Sequence, residues 1–323
     1  MRILFITTKD PESQNDLLEV SILHGLRSVM GKNCVDYPRK RIMYHDFSES
    51  PKDELHGKGF SVLTEPIEDL TEEERKLDEF DAVIYGDGHM RGEMPEAKYK
   101  NLARNGNYWV LDGHDLDGGA PRKIIINEGN KVIEVIGTQF QRSFKRELVE
   151  NGLNHVYPTG FGIPKHRIMD IDLTKKEQIY QKTAPDSATF NPVRDFGDNT
   201  FAHHTFTDED EYYDDLHRSW FGLTCRKGGW DCLRHYEVIA AGSVLLFRDY
   251  NLKPAICSPQ CIPCLSYSSK EELDEITNRL VIDHTPTDEY MFYLNRQREW
   301  LYNVGTTEAR ANHILNVIKD TLT

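Results

Sequence analysis

The chain has 323 residues, of which 38% are hydrophobic and 28% charged, a composition typical of a folded globular protein rather than a disordered or fibrous one. Its 39 basic and 53 acidic residues give a net charge of −14, which opposes non-specific binding to nucleic acid because such binding depends on neutralising phosphates. No apolar run approaches about 18 residues, so we expect no integral membrane segment. The opening MRILFITTKD predicts a buried strand rather than a secretory signal, and we therefore expect a cytoplasmic protein with reduced cysteines.

Short apolar runs alternate with amphipathic segments through the first half, which predicts a parallel sheet with crossover helices. Strands are predicted at residues 3–7, 81–85 and 108–111, and a helix at 16–30. Residues 123–136 carry two apolar runs around Glu-Gly-Asn, which fits either a hairpin or two successive strands.

The same alternation restarts in the second half. Further strands are predicted at 155–157, 220–224 and 244–247, and helices at 208–218, from Ser269 to Leu280, at 287–302 and at 306–321. We therefore predict an α/β protein of two tandem Rossmann-like, doubly wound domains, at residues 1–160 and 161–305. A C-terminal helix at 306–323 is expected to pack back on the first domain.

The stretch RKGGWDCLRHYEVIAAG, residues 226–242, predicts a loop followed by a helix. Gly228 and Gly229 allow close approach of the backbone to a ligand, Asp231 is predicted to cap the helix, and Gly242 to end it. A helix N-terminus offers free N–H groups and a partial positive charge, which suits a diphosphate.

Three side chains in this stretch extend the prediction. Lys227 adds a positive charge, and Arg234 can offer its forked donors to phosphate oxygens. Glu237 lies three residues beyond Arg234, on the same face, where its carboxylate can accept hydrogen bonds from the two hydroxyls of a ribose. The alternative is that Arg234 and Glu237 simply pair on the surface of the helix.

Three segments, in the same order along the chain, resemble the GT-B glycosyltransferases of the family-1-like group, which includes spore-coat-type transferases and the more distant exostosins. The segment SWFGLTCRKGGWDCLRHYEVIAAGSVLL resembles the donor site, in which a small-residue loop leads into a helix with Arg-x-x-(Tyr/Phe)-Glu. The segment FKRELVENGLNHVYPTGFGIP is similar to the Phe-Lys-Arg-Glu-Leu segment and interdomain turn of the group. SYSSKEELDEITNRL and YNVGTTEARANHIL resemble its last helices.

The resemblance covers residues 80–320 and implies a GT-B fold that binds a nucleotide-diphosphate sugar and needs no metal and no cofactor. It assigns donor binding to Lys227, Gly228, Gly229, Asp231, Arg234 and Glu237. Many retaining members carry an additional glutamate eight residues before the ribose-binding one, and Gly229 stands at that place. The stereochemistry of transfer therefore stays open.

Asp-Gly-His occurs twice, at 87–89 and 112–114, each time at the carboxyl end of a predicted strand, where α/β sheets bind ligands. A transferase needs a base that removes the proton of the acceptor hydroxyl. The candidates for this role are His114 and Asp115, then Asp87 and His89. Alternatively these residues only form turns, or His89, His114, Asp112 and Asp115 bind a metal.

Several other residues have competing interpretations. Arg142, Lys145 and Arg146 are predicted to lie on a solvated helix face, with contact to a phosphate as the alternative, and the pair His203 and His204 is predicted to be structural. Cys257, Cys261 and Cys264 have C-x₃-C-x₂-C spacing, which suits an iron–sulfur cluster or zinc. With only 59 residues after Cys264 and two prolines within the segment, we favour small apolar residues in a buried loop.

The sequence thus predicts a cytoplasmic glycosyltransferase that moves a sugar from a nucleotide-diphosphate donor to a hydroxyl acceptor, which is a glycan, a small molecule or a surface polymer. One alternative is sugar transfer to a hydroxylated base of nucleic acid, which the negative charge opposes. Others are a nucleotide-sugar-binding protein without catalysis, and an α/β enzyme such as a nucleotide-sugar epimerase. The donor sugar, the base, the acceptor and the oligomeric state stay open.

Overall fold

The computed structural model describes most of the chain, in segments. The described residues are 1–7, 17–40, 43–44, 67–86, 102–113, 124–128, 131–136, 142–149, 153–182, 206, 208–226 and 228–321. For residues 124–128 and 131–136 the description is confined to the backbone.

The first half contains a six-stranded parallel sheet. Its elements are β1 (Ile3–Ile6), α1 (Leu17–Met30), β2 (Cys34–Tyr37), β3 (Ala82–Tyr85), β4 (Tyr108–Asp112), β7 (Arg142–Lys145) and β8 (Val156–Pro158). The strand order is β2-β1-β3-β4-β7-β8, and every neighbouring pair is parallel. Strand β1 therefore has β2 on one side and β3 on the other. The chain first adds β2 on one side of β1 and then adds the remaining strands on the other side.

The second half contains a four-stranded parallel sheet. Its elements are β9 (Gln178–Tyr180), α2 (Glu209–Arg218), β10 (Ser219–Thr224), α3 (Leu233–Ala240), β11 (Val244–Arg248), β12 (Leu265–Tyr267) and α4 (Lys270–Leu280), followed by β13 (Val281–Ile282), β14 (Thr285–Pro286), α5 (Asp288–Trp300) and α6 (Thr307–Asp320). The strand order is β12-β11-β10-β9. Two sheets of this kind confirm the predicted mixed α/β class with Rossmann-like halves.

The last helix crosses back to the first half and packs on α1. Ala311, Ile314 and Ile318 of α6 belong to the same buried cluster as the apolar face of α1. The close approach is made at Gly25, where an added Cβ would lie 2.0 Å from the carbonyl oxygen of Thr307. His24 Nδ1 also hydrogen-bonds the Thr307 hydroxyl at 2.9 Å. The chain thus returns to its first half after the second sheet is complete.

Local signals placed several element boundaries correctly. Ser269 caps α4 by accepting the N–H of Glu272, which confirms the predicted N-cap, whereas the Glu272 carboxylate accepts the N–H of Ser268 rather than that of Ser269, as a full capping box requires. Gly242 follows α3 with a φ of +78°, as expected for the residue that ends a helix. The segments β5 (Ile124–Glu128) and β6 (Lys131–Ile136) pair antiparallel, as the hairpin alternative predicts.

The prediction of a solvated helix face at Arg142, Lys145 and Arg146 is wrong. Residues 142–145 form strand β7 between β4 and β8, and both Lys145 and Arg146 are buried. The sequence pattern of charged residues at a strand end is the same as that of an exposed helix face. Their burial depends on partners that lie far along the chain, which the local pattern does not show. Within the described part of the chain, no helix combines the length and apolar character needed to cross a membrane.

Candidate functional site

The carboxyl ends of the two parallel sheets meet at one corner of the molecule. From the first sheet come Arg146 and Glu147, which follow β7, and from the second comes the loop between β10 and α3. Within this loop, we call the four residues Gly228–Asp231 the glycine loop. In open α/β sheets, ligands bind outside the carboxyl ends of strands, so this corner is the candidate site.

The glycine loop is held by a carboxylate from the first half. Glu147 Oε2 accepts the N–H of Trp230 at 2.9 Å, and Oε1 accepts the N–H of Asp231 at 3.0 Å. The Glu147 side chain is completely buried, and the Cys257 thiol donates to its Oε2 at 3.2 Å. Two consecutive backbone donors within the predicted diphosphate-binding segment are therefore bound to a side chain of the protein.

Asp231 does not cap α3, and that prediction is wrong. The helix begins at Leu233 with Cys232 at the N-cap position, where no side chain accepts a hydrogen bond. The two carboxylate oxygens of Asp231 are bound elsewhere, because Oδ2 accepts the N–H of Phe161 and Oδ1 accepts the Tyr236 hydroxyl, both at 2.8 Å. Asp231 thus ties the glycine loop to the connection between the two halves.

Two arginines complete this buried network. Arg146 donates to the carbonyl oxygens of Gly113, which follows β4, and of Asp231, and pairs with Glu147 at 3.0 Å. Arg310 of α6 donates to the Tyr236 hydroxyl at 3.0 Å and to the Phe161 carbonyl oxygen at 3.0 Å. Both arginines are 3–4% exposed, and these hydrogen bonds offset the cost of burying their charge, which for Arg146 is also paired with a carboxylate.

Arg234 and Glu237 lie one turn apart near the N-terminus of α3. Glu237 is 5% exposed, and its Oε2 accepts the hydroxyl of Tyr212, from α2, at 2.6 Å. Arg234 is half-buried, and its Nε is buried without a hydrogen-bond partner among the described residues. The Tyr212 hydroxyl and the Glu237 carboxylate are both close enough to act on the Arg234 charge. This arrangement is a buried cluster of three side chains rather than an ion pair on a solvated surface.

Burial determines the charge state of two neighbours. Burial and the adjacent Glu237 carboxylate raise the pKa of Tyr212 well above its ordinary value, so its hydroxyl remains a hydrogen-bond donor. Burial lowers the pKa of His235 to about 4, and the neutral ring bonds the Thr224 hydroxyl at 3.1 Å and the Trp230 carbonyl oxygen at 3.0 Å. His235 therefore supports the glycine loop without adding a positive charge at neutral pH.

The predicted donor residues are only partly brought together. Gly229 is buried against Glu147, whereas Gly228 is exposed and Arg234 and Glu237 share the cluster with Tyr212. Seven other predicted positions lie outside the described residues. They are Lys227, Asp87, His89, His114, Asp115, His203 and His204.

Two buried lysine–carboxylate pairs lie at the carboxyl edge of the first sheet. Lys145 Nζ lies 3.0 Å from Asp112 at the ends of β7 and β4, and Lys40 Nζ lies 3.3 Å from Glu19 of α1. An added Cβ on Gly86, directly after β3, would lie 2.9 Å from the Glu19 side chain. Neither was predicted as a pair from the sequence.

Glu147, Tyr212 and Arg310 are the contacts that sequence reasoning missed. Glu147 lies in the Phe-Lys-Arg-Glu-Leu segment, and Arg310 lies in the Thr-x-x-x-Arg-Ala element. The resemblance therefore includes both residues but assigns neither of them a role. Nothing in the spacing of residues 208–218 distinguishes Tyr212 from a core tyrosine.

The six cysteines are free thiols. Cys257 is buried and donates to Glu147, whereas Cys261 is exposed with a φ of +52°, which departs from the expectation that all three cysteines of the C-x₃-C-x₂-C segment are buried. Among the described residues, no three histidine, cysteine or acidic side chains come together as a metal-binding group.

Comparisons of the sequence with models of protein families and with curated proteins give no match.

Proposed function

We propose that this protein is a glycosyltransferase that takes a sugar from a nucleotide-diphosphate donor at the corner described above and passes it to a hydroxyl acceptor. The observation that carries the proposal is the cluster of Arg234, Glu237 and Tyr212 at the carboxyl end of the second sheet. The geometry alone does not name a reaction, and the resemblance of residues 80–320 to GT-B glycosyltransferases is what suggests sugar transfer.

Each member of the cluster has a chemical task in this proposal. Tyr212 donates a hydrogen bond to one oxygen of Glu237 and so fixes the orientation of the carboxylate. This carboxylate is suited to accept hydrogen bonds from the hydroxyls of a ribose. The buried Nε of Arg234 lacks a hydrogen-bond partner among the described residues, which leaves donor capacity for a phosphate oxygen.

The reaction breaks the bond between the anomeric carbon and the diphosphate oxygen, and forms a bond from that carbon to the acceptor oxygen. Negative charge develops on the leaving diphosphate as this happens. A fixed arginine charge and the partial positive charge at the N-terminus of α3 stabilise that charge electrostatically. The proton of the acceptor hydroxyl goes to a base on the first half, for which His114, Asp115 and Asp87 remain the candidates.

A thermal-shift screen with UDP, GDP, CDP, ADP and dTDP, each with and without common sugars, tests donor binding. A ligand at about 100 times its dissociation constant stabilises the folded protein by about 2.7 kcal/mol. We expect one base to raise the unfolding midpoint selectively. Incubation of that nucleotide sugar with candidate acceptors then distinguishes a transferase from a binding protein, and release of an altered sugar without acceptor identifies an epimerase.

Substitution locates the site. Arg234→Met and Glu237→Gln should each weaken binding of the selected nucleotide by about 10- to 100-fold, because a hydrogen bond to a charged group contributes about 1.5–3 kcal/mol. Arg296 and Glu299 form an arginine–glutamate pair of the same i,i+3 spacing on the exposed face of α5, at 2.7 Å, and provide matched controls. Equal affinities in Arg234→Met, Arg296→Met and the wild type would refute the assignment.

A further inference from the structure

We infer that Glu147 is a positioning residue for the donor site: from the first half of the chain, it sets the conformation of the glycine loop and hence the place of Arg234. This inference rests on the proposed function. It adds a residue that acts on nucleotide affinity without contacting the nucleotide.

The contacts of Glu147 are those of an anion in a backbone cradle. Its two oxygens accept the N–H groups of consecutive residues, Trp230 at 2.9 Å and Asp231 at 3.0 Å. Successive backbone N–H groups that converge in a loop form a binding site for an anion. Here a side chain of the same protein supplies the anion, and Arg146 balances its charge at 3.0 Å.

The glycine loop has no room for a side chain at position 229 while Glu147 is in place. A Cβ added to Gly229 would lie 2.3 Å from Glu147 Oε1 and 2.6 Å from its carboxyl carbon. Since Glu147 is completely buried and held by four hydrogen-bond partners, it cannot move aside at low cost. The glycine at this position is therefore required by the carboxylate, and the diphosphate must bind to other donors.

The loop transmits its position directly to the helix that carries the donor-binding side chains. Asp231 ends the loop, and α3 begins at Leu233, only two residues later. Asp231 is fixed at its N–H by Glu147 and at its carbonyl oxygen by Arg146, at 2.6 Å. A shift of the loop therefore moves the first turn of α3, and with it Arg234. A displacement of such a side chain by about 1 Å is sufficient to reduce affinity or rate strongly.

Two variants test the inference from opposite sides of the contact. Glu147→Gln keeps the shape of the side chain but replaces one acceptor oxygen by an NH₂ group, which opposes a backbone N–H. Gly229→Ala keeps the carboxylate and displaces the loop from it. Asp215→Asn is the matched control, because Asp215 is also a buried carboxylate that accepts a backbone N–H, from Lys182 at 2.8 Å, beside the edge strand β9 of the second sheet.

The measurements are the affinity for UDP, GDP, CDP, ADP and dTDP by calorimetry, and amide hydrogen exchange of residues 226–232 without nucleotide. We expect Glu147→Gln and Gly229→Ala to exchange faster in this segment and to bind the selected nucleotide at least 10-fold more weakly, with Asp215→Asn like the wild type in both respects. The exchange measurement separates an altered loop from general loss of stability, because only a local effect is confined to 226–232.

Wild-type affinity in either folded variant, or equal losses in all three, would overturn the inference. If the wild type binds none of the five nucleotides, the proposed function fails, and the role of Glu147 in nucleotide binding fails with it. Faster exchange in Glu147→Gln would in that case show a purely structural clamp. Weak binding by Glu147→Gln beside a tightly binding wild type supports both proposals.

Discussion

Lys176 is a buried amine at the amino end of the second sheet. It is 7% exposed, and its Nζ donates to the carbonyl oxygen of Ser219 at 2.6 Å and to the hydroxyl of Ser243 at 3.1 Å. Both acceptors are neutral. Burial disfavours the charged form and lowers the pKa of Lys176 from its ordinary 10.5 to about 7.

This pKa shift makes the stability of the protein depend on pH. The unfolded chain binds the proton of Lys176 more tightly than the folded chain, so the free energy of unfolding rises with pH between about 7 and 10.5. With about 1.4 kcal/mol for each pKa unit, the buried lysine lowers stability by about 4 kcal/mol at pH 7 and by about 1 kcal/mol at pH 9.5. The expected gain over this interval is about 3 kcal/mol.

The variant Lys176→Met isolates this effect, because methionine has a similar unbranched stem and carries no proton. Urea unfolding of both proteins at pH 7 and pH 9.5 gives four free energies, and other titrating groups cancel in their double difference. We expect the wild type to gain about 3 kcal/mol relative to Lys176→Met as the pH rises. Parallel stability curves for the two proteins would refute the reasoning, since they would mean that Lys176 has the same pKa folded and unfolded.

Two further substitutions test the packing of the fold. Gly25→Ala places a Cβ 2.0 Å from the Thr307 carbonyl oxygen and should lower the free energy of unfolding by about 2 kcal/mol, because the strain exceeds the gain of about 1 kcal/mol in helix propensity. Val29→Ala, at an exposed position of the same helix, should stay within about 0.5 kcal/mol of the wild type. Gln297→Met should cost about 2–3 kcal/mol in urea unfolding, because Gln297 bonds both the N–H and the carbonyl oxygen of Leu245, at 2.8 and 3.0 Å; unchanged stability would mean that water replaces both bonds.

The order of the elements could be read from the sequence because hydrophobic periodicity is a local property. The alternation of apolar and polar residues placed the helix at Leu17–Met30 and the strands at Ala82–Tyr85 and Val244–Arg248 to within two residues. The short strands were harder, and β2, β9 and β12 were not predicted. Their sequences CVDY, QIY and LSY include polar residues, whereas the predicted strands β1 and β3 are continuous apolar runs, ILFI and AVIY.

The candidate site was predicted in part. The spacing of Arg234 and Glu237 gave the face of the helix correctly, but Asp231 was assigned to a cap that the structure does not form. An aspartate shortly before a helix has the same local pattern whether it caps the helix or bonds Phe161 and Tyr236. The local sequence cannot separate these two cases.

The sequence by itself determined the α/β class, the succession of strands and helices, and the segment in which Arg234 and Glu237 lie. Only the tertiary structure decided which charges are buried and which groups neutralise them. Lys145 pairs with Asp112 across 33 residues, and Glu147 holds the N–H of Asp231 across 84. A charged residue is buried only where a partner stabilises its charge. Whether such a partner is present depends on how the two sheets pack together rather than on the neighbours of either residue in the chain.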